Sequence, residues 1–233
     1  MKKRVDKIFS ERGVLSRSEC ERAVKKKEIA VDGITVKSPS EKVEETAKIS
    51  YKGEILRAEK FSYIMLNKPQ GVVSASKDGN FPVVTDILPD DLKRDGLFPC
   101  GRLDKDTEGL VILTNDGESA HRRLSPKNHV EKVYFFTAAE PLTEDALNKI
   151  RAGVMLKDGF VTKPCKIVLK GDNCGEITLT EGKYHEIKRI FGALGNKITY
   201  LKRISFGGIA LDDTLVSGEA RRLTPEEVKL FTE

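Results

Sequence analysis

The chain has 233 residues, a net charge of +5 and an apolar fraction of 39%, enough for one large domain or two modest ones with hydrophobic cores. Its four cysteines lack Cys-x-x-Cys spacing and it has only three histidines, so we expect no metal site and reduced thiols in a cytoplasmic protein. The charged amino terminus lacks the apolar segment of a signal peptide, and no apolar run approaches the ~20 residues that span a bilayer.

The positive charge is concentrated near the amino terminus. Residues 1–60 contain 16 Lys/Arg and 11 Asp/Glu, whereas residues 61–233 contain 25 of each. A basic segment attached to a neutral remainder is typical of a module that binds a polyanion. Charge alone is equally well explained by a solvated basic surface.

The first 58 residues predict a small αβ module. Short helices are predicted at Asp6–Phe9 and Ser16–Lys27, the second with Ser16 and Glu19 as a capping box. Ile29–Val36 predicts a hairpin with an Asp-Gly turn. Two short strands and then a linker are predicted at Lys48–Tyr51, Glu54–Arg57 and Ala58–Phe61.

The pattern R-x-D-K…G-x-x-S-R…V-D-G-x-x-V in this module resembles the S4 RNA-binding domain. The resemblance implies RNA binding through the basic residues Arg4, Lys7, Arg12, Arg17, Arg22, Lys25, Lys26 and Lys27. Lys27 stands where that family usually has the glycine that ends the second helix, so we expect this helix to end less sharply. The simpler alternative is that these side chains only solubilise the helices.

Residues 61–233 predict a second, larger domain. Strands and helices are mixed without βαβ alternation, which favours an α+β fold with a mainly antiparallel sheet. Strands are predicted at Tyr63–Lys68, Val72–Ser74, Leu110–Leu113, Lys132–Phe136, Cys165–Leu169, Glu176–Thr180, Ile198–Arg203 and Ile204–Phe206. Helices are predicted at Gly117–Leu124 and Glu144–Ala152, before Gly195 and from Thr224, with a short element at Val83–Leu88 and a hairpin at Val154–Thr162.

The stretch Leu97–Gly117 places a charged insert, Arg102–Gly109, between a turn and a buried strand. A polar loop held on a rigid strand is a usual place for reactive side chains, although a solvated loop is the simpler interpretation of the stretch by itself. Its pattern G-R-L-D-x-x-T-x-G-L-x-x-L-T-N-D-G resembles the catalytic motif of the RsuA family of pseudouridine synthases, which modify ribosomal RNA. The resemblance implies that Asp104 is the catalytic carboxylate.

Three further patterns extend this resemblance: N-K-P-x-G-V-V-S, E-K-x-Y and E-G-K-Y-H-x-x-K-R-x-F. They imply that Tyr134 packs against the target base and that Lys188 pairs with Asp104. Glu186 replaces the glutamine that the family usually has, which leaves the role of that amide open. Taken singly, the patterns also fit an ordinary strand and turn, a core tyrosine and an amphipathic helix.

The predicted function is isomerisation of a specific uridine to pseudouridine in ribosomal RNA. The resemblance to the RsuA family is closest in the Tyr-His form of the last motif, which implies small-subunit RNA. Asp104 would act on the ribose as a nucleophile at C1′ or as a base at C2′, and Arg102 would contact phosphate or fill the space that the flipped base leaves. The reaction involves no redox change or hydrolysis, so we expect no cofactor.

The expected partner is ribosomal RNA or a subunit assembly intermediate, with no membrane partner, and the expected state is a monomer. Three alternatives remain. The first is a large-subunit rRNA synthase of the same family, and the second is a non-catalytic S4-type RNA-binding protein. The third is a glycosidase that uses Asp104 and Asp106 as a carboxylate pair.

Overall fold

The computed structural model describes residues 2–11, 14–44, 47–55 and 61–233. The chain forms two units, one of Met1–Ser62 with Pro89–Leu97 and the other of Tyr63–Leu88 with Phe98–Glu233. Arg12, the last two residues of the strand predicted at Glu54–Arg57 and most of the predicted linker lie outside the described residues.

The first unit contains both predicted helices and the predicted hairpin. Its elements are β1 (Lys2–Arg4), α1 (Val5–Glu11), α2 (Arg17–Lys25), β2 (Ile29–Val31), β3 (Ile34–Thr35), β4 (Lys42–Glu44), β5 (Ile49–Tyr51) and β6 (Glu54–Ile55). The capping box of Ser16 and Glu19 is present. Four strands form a sheet in the order β3-β2-β5-β6, while β1 and β4, which the sequence did not predict, pair separately. Helix and strand residues share one apolar core, which includes Phe9, Val24 and Ile49.

The expectation that the second helix would end less sharply is wrong. Helix α2 ends at Lys25, and Lys27 adopts a left-handed backbone with φ 57°. Its N–H donates to Val24 O at 2.9 Å, the geometry that a glycine usually provides after a helix. The lysine therefore accepts a backbone strain of about 1 kcal/mol to keep the turn.

The second unit is built on a nine-stranded sheet. Its elements are β7 (Tyr63–Lys68), β8 (Phe98–Cys100), β9 (Glu108–Thr114), α3 (Gly117–Leu124), a 3₁₀ turn (Pro126–Asn128), β10 (Lys132–Ala138), α4 (Glu144–Ala152), β11 (Lys166–Leu169), β12 (Cys174–Leu179), α5 (Glu186–Ala193), β13 (Ile198–Phe206), β14 (Ile209–Ala210), β15 (Ala220–Arg222) and α6 (Pro225–Thr232). The strand order is β11-β12-β10-β13-β9-β7-β15, with β8 and β14 on the side. Only β9 and β13 pair in parallel within this described sheet, so the α+β class with a mainly antiparallel sheet is confirmed.

Several predicted local elements differ from the structure. Val72–Ser74 is not a strand, because only an isolated bridge joins Val73 to Val83. The carbonyl of Val72 accepts from Lys68 Nζ, and the hydroxyl of Ser74 donates to Leu103 O. Val83–Leu88 contains turns rather than a helix or strand. The hairpin at Val154–Thr162 has one bridging pair, and Ile198–Phe206 is one continuous strand.

Gly109 is the point at which β9 meets β13. Its φ is +101°, and a Cβ at this position would lie 2.3 Å from the carbonyl oxygen of Arg203. Only glycine permits this approach. The contact fixes the start of β9, and with it the loop that carries Asp104, against the middle of β13.

Candidate active site

The loop that carries Asp104 is held by its own main chain and by Ser74. The hydroxyl of Ser74 accepts from Leu103 N–H at 3.1 Å and lies 3.2 Å from Leu103 O, to which it donates. Thr107 N–H donates to Asp104 O at 3.1 Å. Both sides of Asp104 are therefore fixed, which presents its carboxylate in a defined position.

Lys68, at the end of β7, ties the same loop to the turn that follows this strand. The side chain is fully buried, and its ammonium donates to Pro69 O at 2.9 Å, Val72 O at 2.8 Å and Lys105 O at 3.3 Å. Gly71 N–H also donates to Lys105 O, at 2.9 Å. Burial lowers the pKa of Lys68 to about 8, against the opposing effect of nearby carboxylates. The N-K-P-x-G-V-V-S segment thus supports the Asp104 loop directly.

The structure brings Lys188 and Asp104 together. Lys188 Nζ lies 3.0 Å from Asp104 Oδ2 and 2.5 Å from Asp106 Oδ1. Burial by itself would lower the pKa of Lys188, but its hydrogen bonds to both carboxylates raise it. The hydrogen bond from Lys188 likewise lowers the pKa of Asp106 against the effect of burial. The cluster therefore holds a permanent cation between two acidic side chains.

His185 is a site residue that the sequence analysis missed. Its Nε2 lies 3.4 Å from Asp104 Oδ1, and its backbone takes a left-handed conformation, φ 48°, just before α5. The ring of Tyr184 stacks on it with centroids 3.8 Å apart, and Tyr184 is 77% exposed. Its position three residues before Lys188 was the available signal, because residues at that spacing can face the same side of a helix start.

A cavity of about 750 Å³ opens beside Asp104. Tyr134 on β10 is half-buried and lines this cavity, and Arg102 lines it as an exposed side chain. The volume falls within the range of small-molecule sites, about 300–1,000 Å³, and is large enough for one nucleotide. All three residues predicted from the motifs for substrate contact (Tyr134, Lys188 and Arg102) therefore border the space that Asp104 faces.

The same cavity is lined by two cations that were not predicted as site residues, although Lys132 belongs to the E-K-x-Y pattern. Arg203 is 1% exposed; its Nε donates to Leu110 O at 2.8 Å, and its Nη2 has no hydrogen-bond partner in the described part of the chain. Lys132 Nζ donates to Val130 O at 3.0 Å, and burial together with Arg203 lowers its pKa. Nothing in the sequence pattern of β13 distinguishes Arg203 from a surface cation. Positive charge therefore underlies the cavity on the side of β10 and β13.

The basic residues predicted to bind RNA are exposed where the structure describes them. The exposed residues are Arg4, Lys7, Arg17, Arg22, Lys25, Lys26 and Lys27, while Arg12 lies outside the described residues. Arg4 is ion-paired with Asp6 at 2.6 Å, and Lys25 with Glu21 at 3.0 Å. Their exposure is compatible with a phosphate-binding surface.

The described ranges contain neither a metal-binding cluster nor a membrane-spanning helix. In residues 2–11, 14–44, 47–55 and 61–233, no three or more His, Cys, Asp or Glu side chains are grouped so that they could hold a metal ion. None of the helices described there is long and apolar enough to cross a membrane.

Comparisons with known proteins agree with this geometry. Residues 62–193 match the family model of RNA pseudouridylate synthases, and residues 3–49 match that of the S4 domain. An uncharacterized RNA pseudouridine synthase of Bacillus subtilis, YtzG, is 42% identical over 99% of this chain and 98% of its own length. Ribosomal small subunit pseudouridine synthase A of Haemophilus influenzae is 39% identical, covering 97% and 98% of the two chains. A crystal structure of a pseudouridylate synthase superimposes with a TM-score of 0.69 at 38% identity, covering 98% of this chain and 99% of the other.

Proposed function

The chain belongs to the RNA pseudouridylate synthases that carry an S4 domain, and we propose that it isomerises a specific uridine of small-subunit ribosomal RNA to pseudouridine. The observation that carries the proposal is the Asp104 carboxylate, held on a fixed loop, 3.0 Å from the Lys188 ammonium and facing a nucleotide-sized cavity. The small-subunit substrate is supported by the names of full-length relatives such as the Haemophilus influenzae enzyme.

The reaction exchanges one bond of the base for another. The N1–C1′ bond breaks, the uracil rotates in the cavity, and a C5–C1′ bond forms while the C5 hydrogen is lost as a proton and N1 gains one. Asp104 acts on the ribose, as a nucleophile at C1′ or as a base at C2′. Either role needs the ionised carboxylate, which the adjacent Lys188 cation stabilises electrostatically. The product has the formula of the substrate, so the enzyme is an isomerase.

The substrate uridine must leave the RNA stack to reach Asp104. Extrusion costs roughly a few kcal/mol and is compensated by contacts to the flipped base. Tyr134 supplies a ring on the cavity wall for stacking, and Arg102 at its exposed edge contacts phosphate or fills the gap in the RNA.

We further propose that residues 1–58 are an RNA-binding domain and that residues 61–233 are the catalytic domain. The two family-model matches support this division, and the exposed basic side chains of the first unit support its affinity for RNA. The substrate is ribosomal RNA, free or in a subunit assembly intermediate. The protein acts as a monomer in the cytoplasm, a location supported by its four free thiols.

The experiment that tests this function compares Asp104→Asn with Asp106→Asn on small-subunit and large-subunit rRNA transcripts. Both side chains contact Lys188, so Asp106→Asn is a matched control for loss of one negative charge. We expect Asp104→Asn to abolish pseudouridine formation without weakening RNA binding, and Asp106→Asn to be mild.

Other outcomes of this experiment contradict particular parts of the proposal. If Asp104→Asn keeps turnover within tenfold of the parent, Asp104 is not the catalytic carboxylate. Modification of the large-subunit transcript alone would move the substrate to that RNA. Release of free uracil would identify a hydrolase, and RNA binding without any product would identify a binding protein.

A further inference from the structure

Two glutamates meet in the connection between β12 and α5. Glu186, the first residue of α5, is 5% exposed and lines the cavity. Its Oε2 accepts Lys183 N–H at 2.8 Å, whereas its Oε1 is buried and has no hydrogen-bond donor among the described residues. The side chain beside it is Glu181, whose own Oε1 accepts Lys163 N–H at 2.7 Å. Where two carboxylates lie side by side, a hydrogen bond between them requires a proton on one of them.

The charged surroundings of Glu186 come from several elements. Glu181 faces it from the end of β12, Lys132 from β10 and the buried Cys165 thiol from the start of β11, while Arg203 on β13 acts on Lys132. Burial and the neighbouring Glu181 raise the pKa of Glu186 to about 7, and the hydrogen bond from Lys183 N–H and the charge of Lys132 only partly oppose them. A like-charged pair that shares one site retains a proton on one member.

We propose that Glu186 is a positioning residue that works as the neutral acid, sharing a proton with Glu181 and thereby fixing the segment 181–188. This segment carries His185 and Lys188, the two groups that contact Asp104. The shared proton links Glu181, which follows β12, to Glu186 at the start of α5, and so holds the two ends of this connection together. Loss of this proton places two anions side by side, one on the buried Glu186 and one on the half-buried Glu181, and their repulsion displaces His185 and Lys188 from Asp104.

The proposal rests on the isomerase activity proposed above. It predicts different behaviour for the acid Glu186 and for the amide in Glu186→Gln. Glu186→Gln keeps the shape and places an NH₂ donor where the proton would be, so it imitates the neutral acid at every pH. Glu186→Ala removes the group altogether. Neither Glu181 nor Glu186 takes part in the chemical step proposed above. The comparison of these variants therefore tests how Glu186 positions other residues.

The test is the single-turnover rate on an rRNA transcript from pH 6.5 to 8.5, for the parent, Glu186→Gln and Glu186→Ala. For one ionisation near pH 7, we expect the parent to lose about 20-fold relative to Glu186→Gln across this range. Glu186→Ala should be slower than Glu186→Gln at every pH, with no such divergence. Parallel profiles of the parent and Glu186→Gln would overturn the proposal.

A second measurement keeps the two proposals distinguishable. The ¹³C carboxyl signal of Glu186, assigned as the one absent from Glu186→Gln, should titrate near pH 7 in the free protein. A midpoint at the ordinary value of 4.5 would overturn the shared proton even if the enzyme were active. An anomalous midpoint in a protein that forms no pseudouridine would instead contradict the proposed function.

Discussion

Replacement of Glu186 by glutamine should make the folded protein less sensitive to pH. The pKa of Glu186 rises from 4.5 to about 7 on folding, because burial and Glu181 disfavour its charged form. Between these values the native state binds a proton that the unfolded chain has released, so the free energy of unfolding falls as the pH rises through this window. The glutamine variant has no such proton to lose.

The size of the effect follows from the same two values. At 1.36 kcal/mol for each pKa unit, a rise from 4.5 to about 7 corresponds to about 3 kcal/mol. Below pH 4.5 the parent and Glu186→Gln should have similar stability. Above pH 7 the variant should be more stable than the parent by about 3 kcal/mol.

The assay is urea unfolding followed by circular dichroism, since the chain has no tryptophan. The free energies of the parent and of Glu186→Gln are compared at pH 5 and at pH 8, and the change in their difference isolates Glu186. Glu140→Gln, at an exposed position, is the matched control and should show no change in the difference. An equal difference between parent and Glu186→Gln at both pH values would refute the reasoning.

Three other perturbations have definite expected outcomes. Lys188→Met removes the cation between two carboxylates and should slow single turnover by about 10- to 100-fold. Tyr134→Phe keeps the ring and should slow single turnover less. A larger loss of rate in Tyr134→Phe than in Lys188→Met would remove Lys188 from the site. Deletion of residues 1–57 should weaken rRNA binding and flatten its salt dependence, because fewer counterions are released; an unchanged slope would assign the electrostatics to the rest of the chain. Lys27→Gly should raise the unfolding free energy by about 0.5–1 kcal/mol by relieving a positive φ, whereas Lys26→Gly at φ −82° should not, and equal effects would exclude strain as the cause.

The elements that the sequence predicted well are those with local signals. Helix α4 has the predicted bounds, Glu144–Ala152, because Thr143 caps its start and Gly153 ends it. Helix α3 and strand β7 also match, the first through the Asp116 cap and the second through a buried apolar run bounded by a turn. These signals lie within a few residues of the element that they define.

The features that were missed depend on partners far along the chain. Strand β15 exists because Ala220–Arg222 pairs with Ile64–Leu66, and three residues carry no periodicity of their own. Residues 72–74 do not form a strand, because Val72 O accepts a hydrogen bond from Lys68 Nζ and the Ser74 hydroxyl donates to Leu103 O in the Asp104 loop.

The candidate site shows the same division. Its motifs identified Asp104, Tyr134 and Lys188 by resemblance, but His185 and the buried Arg203 join the site only through folding. The contact of His185 with Asp104 bridges two loops, and Arg203 reaches the cavity from the middle of β13. The spacing of His185 and Lys188 was a signal for the first contact. No residue type or spacing reveals the second, because it depends on how β9 and β13 lie side by side.

The clamp formed by Lys68 has a consequence for how this protein responds to its solution. Three carbonyl oxygens surround its ammonium, much as carbonyl groups surround a bound alkali cation. Here the cation is covalently tethered, so it cannot be chelated, exchanged or diluted away. The clamp on the Asp104 loop therefore needs no cation from the solution, whereas the affinity of the enzyme for RNA falls as salt is added.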